Sequence, residues 1–254
     1  MSGIRTALVC GATSGLGEAS ARALSAQGMN VVLTARRASR LEEVAASLTA
    51  AAAVPADLTE PAAAEAVVTA AEAAFGQVDV LVINGGGPAP GTAADLGAEG
   101  ARAAIELLLL PAVDLVHRIL PSMRERRWGR IIAVGSSGVQ QPLPGLAASN
   151  LGRAALAGYL KTLAGEVAGD GVTVNMVLPG RIRTDRVQSL DSVAAAAQGV
   201  TAEEVAERSR ATIPAGRYGE AAEFAALVAF LASEGASYVT GSQLRCDGGL
   251  IKSY

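Results

Sequence analysis

Near the start of the chain the apolar segment Thr6–Val9 runs into Gly11-Ala12-Thr13-Ser14-Gly15-Leu16-Gly17, and from there into an alanine-rich stretch reaching about Gln27. Three glycines spaced this way, after a strand and before a helix, leave few folds open. Gly11 permits a tight turn, Gly15 lets the backbone approach a bulky anion, and Gly17 lets the helix pack on the strand. The start of the helix offers free N–H groups and a partial positive charge. The loop, with Thr13, Ser14 and Leu16 between its glycines, therefore reads as a cradle for a pyrophosphate.

The rest of the chain alternates strand and helix. Strands are expected at Asn30–Thr34, around Val54 to Asp57, at Val78–Ile83, Arg130–Val134, Val172–Leu178 and near Ser242–Cys246. VDVLVI at 78–83 is a continuous apolar run, as suits a strand buried on both faces. Helices are expected at Arg40–Leu48, at Pro61–Phe75 with Pro61 in the first turn, and over about Gly100–Arg126 with a bend near Pro111. Further helices are expected at Ala148–Ala168 and Ala221–Ser233. Such alternation predicts an α/β fold: one Rossmann-type, doubly wound, mostly parallel seven-stranded sheet with helices on both faces. Residues 1–254 read as one domain, without linker or repeat. The polar stretch 181–216 is too long for an ordinary connection and reads as a lid over a substrate site, carrying its own short helix.

Bulk properties narrow the function. Half of the residues are apolar, enough for a large core, and the formal net charge is -3 with no basic block. That argues against nucleic acid and against an anionic membrane surface. No apolar run reaches the roughly 18 residues of a membrane span, and the start, MSGIRTALVC, has no signal-peptide core. Cys10 and Cys246 lie at opposite ends of the chain and read as small buried residues in a reducing, cytoplasmic setting. The single histidine, His117, falls in an amphipathic helix and reads as structural, so no metal site is expected.

At the end of the second strand, dinucleotide folds that prefer NAD place an acidic residue against the ribose 2′-hydroxyl. Here Ala35 is followed by Arg36 and Arg37. With no carboxylate to repel a 2′-phosphate, and with guanidinium suited to phosphate in charge and shape, Arg36 is the candidate partner and NADP(H) the expected cofactor. Arg37 is left evenly balanced between that role and a solvated helix cap.

The spacing G-x-x-x-G-x-G resembles that of the short-chain dehydrogenase/reductases, in which Cys10 takes the place of a threonine. Ala56-Asp57-Leu58 looks like the adenine-binding Asp-Leu of that family. Ile83-Asn84-Gly85-Gly86 stands in the place of N-N-A-G, and Pro179-Gly180-Arg181-Ile182-Arg183-Thr184 matches the P-G-x-x-x-T that holds the nicotinamide amide. The tail GRYGEAAEFAALVAFLASEGASYVTGSQLRCDGG is similar to the ends of 3-oxoacyl-acyl-carrier-protein reductases. The resemblance implies cofactor contacts from Asp57, Leu58, Asn84, Gly85, Pro179, Gly180, Ile182 and Thr184. It also implies hydride transfer with a small carbonyl or alcohol substrate, and a homotetramer or homodimer built on the helices at 100–126 and 148–168.

The same resemblance marks a departure. Ser136 matches the family serine, with Ser137 beside it. Ser149 stands where the tyrosine belongs, Arg153 where the lysine belongs, and Leu108 where an asparagine belongs. Ser149 and Arg153 are four apart on one helix and share a face. Arg153 keeps a positive charge and donors for ribose hydroxyls, yet with a pKa above about 12 it cannot relay protons. Ser149 has no histidine to activate it. Tyr159 is roughly 15 Å along the helix at 1.5 Å per residue, and Tyr218 is a remote substitute. Arg181, Arg183 and Arg186 flank the region, as a site for an acidic substrate or as a solvated loop face. Three readings stay open: a reductase of unusual mechanism, a silent dinucleotide-binding sensor or partner subunit, and non-redox chemistry on the same fold.

Overall fold

The computed structural model describes residues 3–253. Seven strands form one sheet in the order β3-β2-β1-β4-β5-β6-β7: β1 (Thr6–Cys10), β2 (Asn30–Ala35), β3 (Ala51–Pro55), β4 (Val80–Ile83), β5 (Gly129–Val134), β6 (Val172–Pro179) and β7 (Gln243–Cys246). All six pairings are parallel, where a mostly parallel sheet is expected from the sequence. The central strands β1, β4 and β5 are buried along their whole length, which is why Ala7–Cys10, Val80–Ile83 and Ile131–Val134 are apolar without alternation.

Helices cover both faces. On one lie α1 (Gly15–Ala26), α2 (Ala38–Ala46) and α9 (Ala221–Ala232), with Leu24, Leu41 and Phe224 fully buried against Val9, Leu33 and Val82. On the other lie α3 (Ala63–Phe75), α4 (Ala98–Leu108), α5 (Leu110–Glu125) and α6 (Ala147–Val167), with Val67, Leu115, Ile119 and Leu160 packed on Leu8, Leu81 and Ile131. Each such leucine or isoleucine contributes about 2 kcal/mol by leaving water. Small alanines let α1 and α9 lie close together over the sheet.

β3 ends at Pro55 where an end near Asp57 is expected, α2 is Ala38–Ala46 where Arg40–Leu48 is expected, and three further differences have a clear physical cause. The long helix expected over 100–126 is two helices, broken at Leu109 and not merely bent at Pro111. Pro111 has no N–H and so fits the first turn of a new helix better than the interior of a continuous one. The helix expected to start at Pro61 begins at Ala63, because Ala62 takes a left-handed φ of 61°. Residues 181–216 carry two helices, α7 (Asp185–Gln198) and α8 (Ala202–Thr212), where one short helix is expected. Thr201 and Glu204 form a capping box that starts the second.

Candidate dinucleotide and substrate site

The order of the sheet reverses between β1 and β4, and in open α/β sheets the cleft outside the carboxyl ends of the strands at that point takes the ligand. The glycine loop is there. Gly11 has φ +60°, and a Cβ on it would lie 2.7 Å from Asn84 Nδ2. A Cβ on Gly17 would lie 2.2 Å from the Gly11 carbonyl oxygen, so neither position accepts a side chain. Asn84, just past β4, donates to the Cys10 and Gly11 carbonyls at 3.2 and 3.3 Å and holds the turn in place. Burial pushes the Cys10 thiol up to about 12, so it stays protonated and inert.

Ser14 is the N-cap of α1 but makes no side-chain cap bond to the helix. Its hydroxyl instead accepts from Arg37 Nη2 at 3.1 Å, and Arg37 also donates to Thr13 Oγ1 at 2.9 Å. The first-turn amides of α1 are thus left without a side-chain cap, while a guanidinium stands beside them. Arg40 donates to the Thr13 carbonyl at 3.3 Å and pairs with Glu18 at 3.0 Å. Leu16 packs toward the core. Arg36 does not touch the loop: it is exposed and lies 3.8 Å from Asp57. Asp57 accepts from the Thr59 hydroxyl and N–H, and these bonds, with Arg36, hold its carboxyl below the usual range. Leu58 packs half-buried against the core, and Gly85 is exposed at the cleft.

The segment after β6 closes the other side. The Gly180 N–H donates to the Cys246 carbonyl at 3.0 Å, and Ile182 is buried and bridged to Gly219. Pro179 ends β6. Thr184 caps α7, and its methyl lies 3.3 Å from where a Gly15 Cβ would stand. Gly15 and Thr184, far apart in sequence, therefore form facing walls of one cleft.

Between these walls lie the positions singled out for chemistry. The Ser136 Oγ accepts from the Gly138 N–H at 3.0 Å, which leaves its own proton free. Ser149 is half-buried on α6, and its hydroxyl has no hydrogen-bond partner among the described residues. Arg153, one turn later, donates to the Val134 carbonyl at the end of β5 at 2.6 Å. Burial, and secondarily the Arg186 guanidinium, lower its pKa to about 10, so it is still charged at neutral pH. Leu108 is buried and presses on Gly152 of α6, where a Cβ would lie 2.8 Å from Leu108 Cδ1. Asn150 pins the roof by bonding both the N–H and the carbonyl of Leu143.

The two tyrosines are occupied elsewhere. Tyr159, on α6, packs against the core, and Tyr218 is buried and donates to Asp191 at 2.9 Å. Burial raises both phenols. In sequence Arg40 is marked only by its spacing of three from Arg37, which puts it in the first turn of α2, behind the N-cap Arg37. No group of three metal-ligating side chains occurs among the described residues, and no helix there is long and apolar enough to cross a membrane.

Residues 11–251 match a family model described as enoyl-(acyl carrier protein) reductase. The chain is 36% identical over 247 residues, 97% of each protein, to the 3-oxoacyl-[acyl-carrier-protein] reductase FabG of Escherichia coli (strain K12). It is 31% identical over 255 residues, 98% of each protein, to the NADPH-dependent reductase BacG of Bacillus subtilis (strain 168). Among solved structures it resembles L-sorbose reductase from Gluconobacter frateurii, crystallised with NADPH and L-sorbose. There the TM-score is 0.93 at 32% identity, covering 99% of this chain and 98% of that one. A glycine cradle closed to side chains, an all-parallel sheet with its cleft at the switch point, and likeness along nearly the whole length place this chain in the short-chain dehydrogenase/reductase superfamily.

Proposed function

We propose that this chain is an NADPH-dependent oxidoreductase acting on a small carbonyl or alcohol substrate, with Ser136, Ser149 and Arg153 at the reacting end of the cleft. The observation that carries the reading is the uncapped start of α1 behind a loop that admits no Cβ at Gly11 or Gly17, with Arg37 beside it. That arrangement fits a pyrophosphate, and the relatives named above include NADPH-dependent enzymes.

When bound, NADPH supplies the hydride. The residues present divide the remaining work. Thr13, Ser14, Gly15 and Leu16 line the pyrophosphate, and Arg36 takes the 2′-phosphate. Asp57 and Leu58 border the adenine, while Asn84 and Gly85 floor the cleft. Pro179, Gly180, Ile182 and Thr184 hold the amide end. Arg153 has five N–H donors, of which one serves Val134, and the others are available to ribose hydroxyls. The Ser136 hydroxyl, fixed by Gly138, donates to the substrate oxygen. Ser149 lies on the same face of α6 as Arg153 and orients the substrate. A serine stands at position 149 in place of the phenol that acts as general acid, a role worth about 10²–10⁴-fold, so turnover of simple ketones is slow. Helices α7 and α8 act as the lid. The protein works in the cytoplasm, as a tetramer or dimer that covers Leu107, Leu110 and Leu151, exposed apolar residues on α4, α5 and α6.

Calorimetric titration with NADPH and NADH, followed by a panel of carbonyl compounds watched at the nicotinamide absorbance, tests the reading. Tighter NADPH binding and oxidation of NADPH by some member of the panel support it. Equal affinities, or an NADH preference, overturn the cofactor assignment. The unpartnered hydroxyl of Ser149 favours a second reading, a protein that binds NADPH and turns nothing over; binding without oxidation across the panel would establish it. A monomer by light scattering at micromolar concentration removes the assembly.

A further inference from the structure

Three arginines of the 181–216 segment border the cleft, and their partners separate them. Arg181 is paired with buried Asp191 at 2.5 Å, and Arg183 with Glu220 at 2.9 Å. Arg186 has no carboxylate within ion-pair distance among the described residues. Its Nη2 donates to the carbonyl of Pro88, 2.9 Å away, in the loop that follows β4. Gly87 makes room for it, since a Cβ there would lie 3.1 Å from the same nitrogen.

Arg153 is in the same condition. Its recorded partner is the Val134 carbonyl, and it too lacks a carboxylate partner among the described residues. Val134 ends β5, and Pro88 lies five residues past the end of β4, its parallel neighbour. Both guanidiniums are therefore anchored on main-chain oxygens at the carboxyl ends of neighbouring strands, Arg153 reaching there from α6 and Arg186 from α7. They are close enough for the charge of Arg186 to disfavour that of Arg153. Two like charges held at one edge of the sheet without an acid raise the free energy of the empty site, and an anion bound by both relieves it. Each guanidinium has spent one donor on a main-chain oxygen, which fixes its position, and keeps others in the forked geometry that matches a carboxylate.

We propose that Arg153 and Arg186 form a clamp for a carboxylate carried by the substrate within one or two carbons of its reacting carbonyl, so that the substrate class is an oxo acid. The clamp rests on the reading of this cleft as the reductase site, and its test separates the two.

Malonate, a non-reducible carboxylate, is titrated calorimetrically into the full-length protein saturated with NADPH and into the protein alone. The titration is repeated with Arg186→Met and Arg186→Lys. Expected is saturable binding to the unmodified protein, at least about tenfold weaker with Arg186→Met and partly restored with Arg186→Lys, the range expected for a charged hydrogen bond. The NADPH dissociation constant should be the same in all three. In parallel, NADPH oxidation is compared for a 2-oxo acid and a 3-oxo acid against their methyl esters; the ratio of acid to ester turnover should fall with Arg186→Met. Malonate binding that is absent, or unchanged in Arg186→Met, overturns the clamp. Turnover of esters as fast as acids, with NADPH bound, overturns it too and leaves the reductase reading standing. Arg186-dependent malonate binding in a protein that neither binds nor oxidises NADPH supports the clamp and overturns the reductase reading.

Discussion

Gly17 faces the carbonyl of Gly11 so closely that a Cβ on Gly17 would sit 2.2 Å from that oxygen and 2.7 Å from Asn84 Nδ2. Neither neighbour can retreat, because one is main chain and the other is bonded to two carbonyls. Gly17→Ala should therefore push α1 away from β1 and open the cradle. The expected result is a loss of stability of about 1–3 kcal/mol, as for overpacking a tight interior, with NADPH affinity reduced in step. Denaturant unfolding and calorimetry measure the two; an alanine variant with unchanged stability and affinity would show that the loop tolerates the shift.

Arg36 and Arg37 are neighbours with different duties. Arg36 is exposed beside Asp57, whereas Arg37 grips Thr13 and Ser14. Arg36→Ala should weaken NADPH by about 1–3 kcal/mol, the size of a charged hydrogen bond, and leave NADH nearly unchanged. Arg37→Ala should weaken both, because it loosens the loop common to both cofactors. Paired titrations of the two variants decide the matter, and the reverse pattern would assign the 2′-phosphate to Arg37.

The altered positions on α6 make a constructive test. Ser149→Tyr with Arg153→Lys would place a phenol in the cleft with an ammonium beside it to lower its pKa. Reduction of an activated neutral ketone should rise by up to about 10²-fold, within the range for a general acid. No gain would show that the space around Leu108 excludes the ring. Arg153→Ala alone should weaken NADPH, and an unchanged dissociation constant would place Arg153 off the ribose.

Glu223 gives a prediction in pH. Its carboxylate takes two bonds from Arg217, at 2.7 and 2.8 Å, and one from the Glu220 N–H at the start of α9. The Arg217 bonds first, then the Glu220 N–H, lower its pKa from 4.5 to about 2. A carboxyl whose folded pKa is depressed stabilises the fold fully above its unfolded value and stops doing so as pH falls through the folded one. Glu223→Gln should thus lower the thermal midpoint at neutral pH. The gap to the unmodified protein should narrow below pH 4.5 and close near pH 2. A gap that stays constant across that window would mean the pairing is not what matters.

By itself the sequence determined the parts whose causes are local. The loop from Gly11 to Gly17 is legible because tight turns and close approach admit glycine alone. The sheet is legible because β1 and β4 are buried on both faces and read as short apolar runs, ALV and VLVI, and because Ile131–Val134 of β5 does the same. The placement of Ser149 and Arg153 on one helical face follows from helical periodicity. Tertiary structure decided what depends on partners distant in sequence. Which of Arg36, Arg37 and Arg40 reaches the loop depends on how α2 docks on β2 and β3. The break at Leu109 is settled by how α4 and α5 pack separately, α4 against α6 and α5 against the sheet, around a proline whose effect the sequence leaves open between bend and break. Arg181, Arg183 and Arg186 look alike in sequence; only folding brings Asp191 and Glu220 to the first two and leaves the third on the Pro88 carbonyl. Charge pairing across the cleft requires side chains that meet only once the sheet is complete, and no local pattern records it.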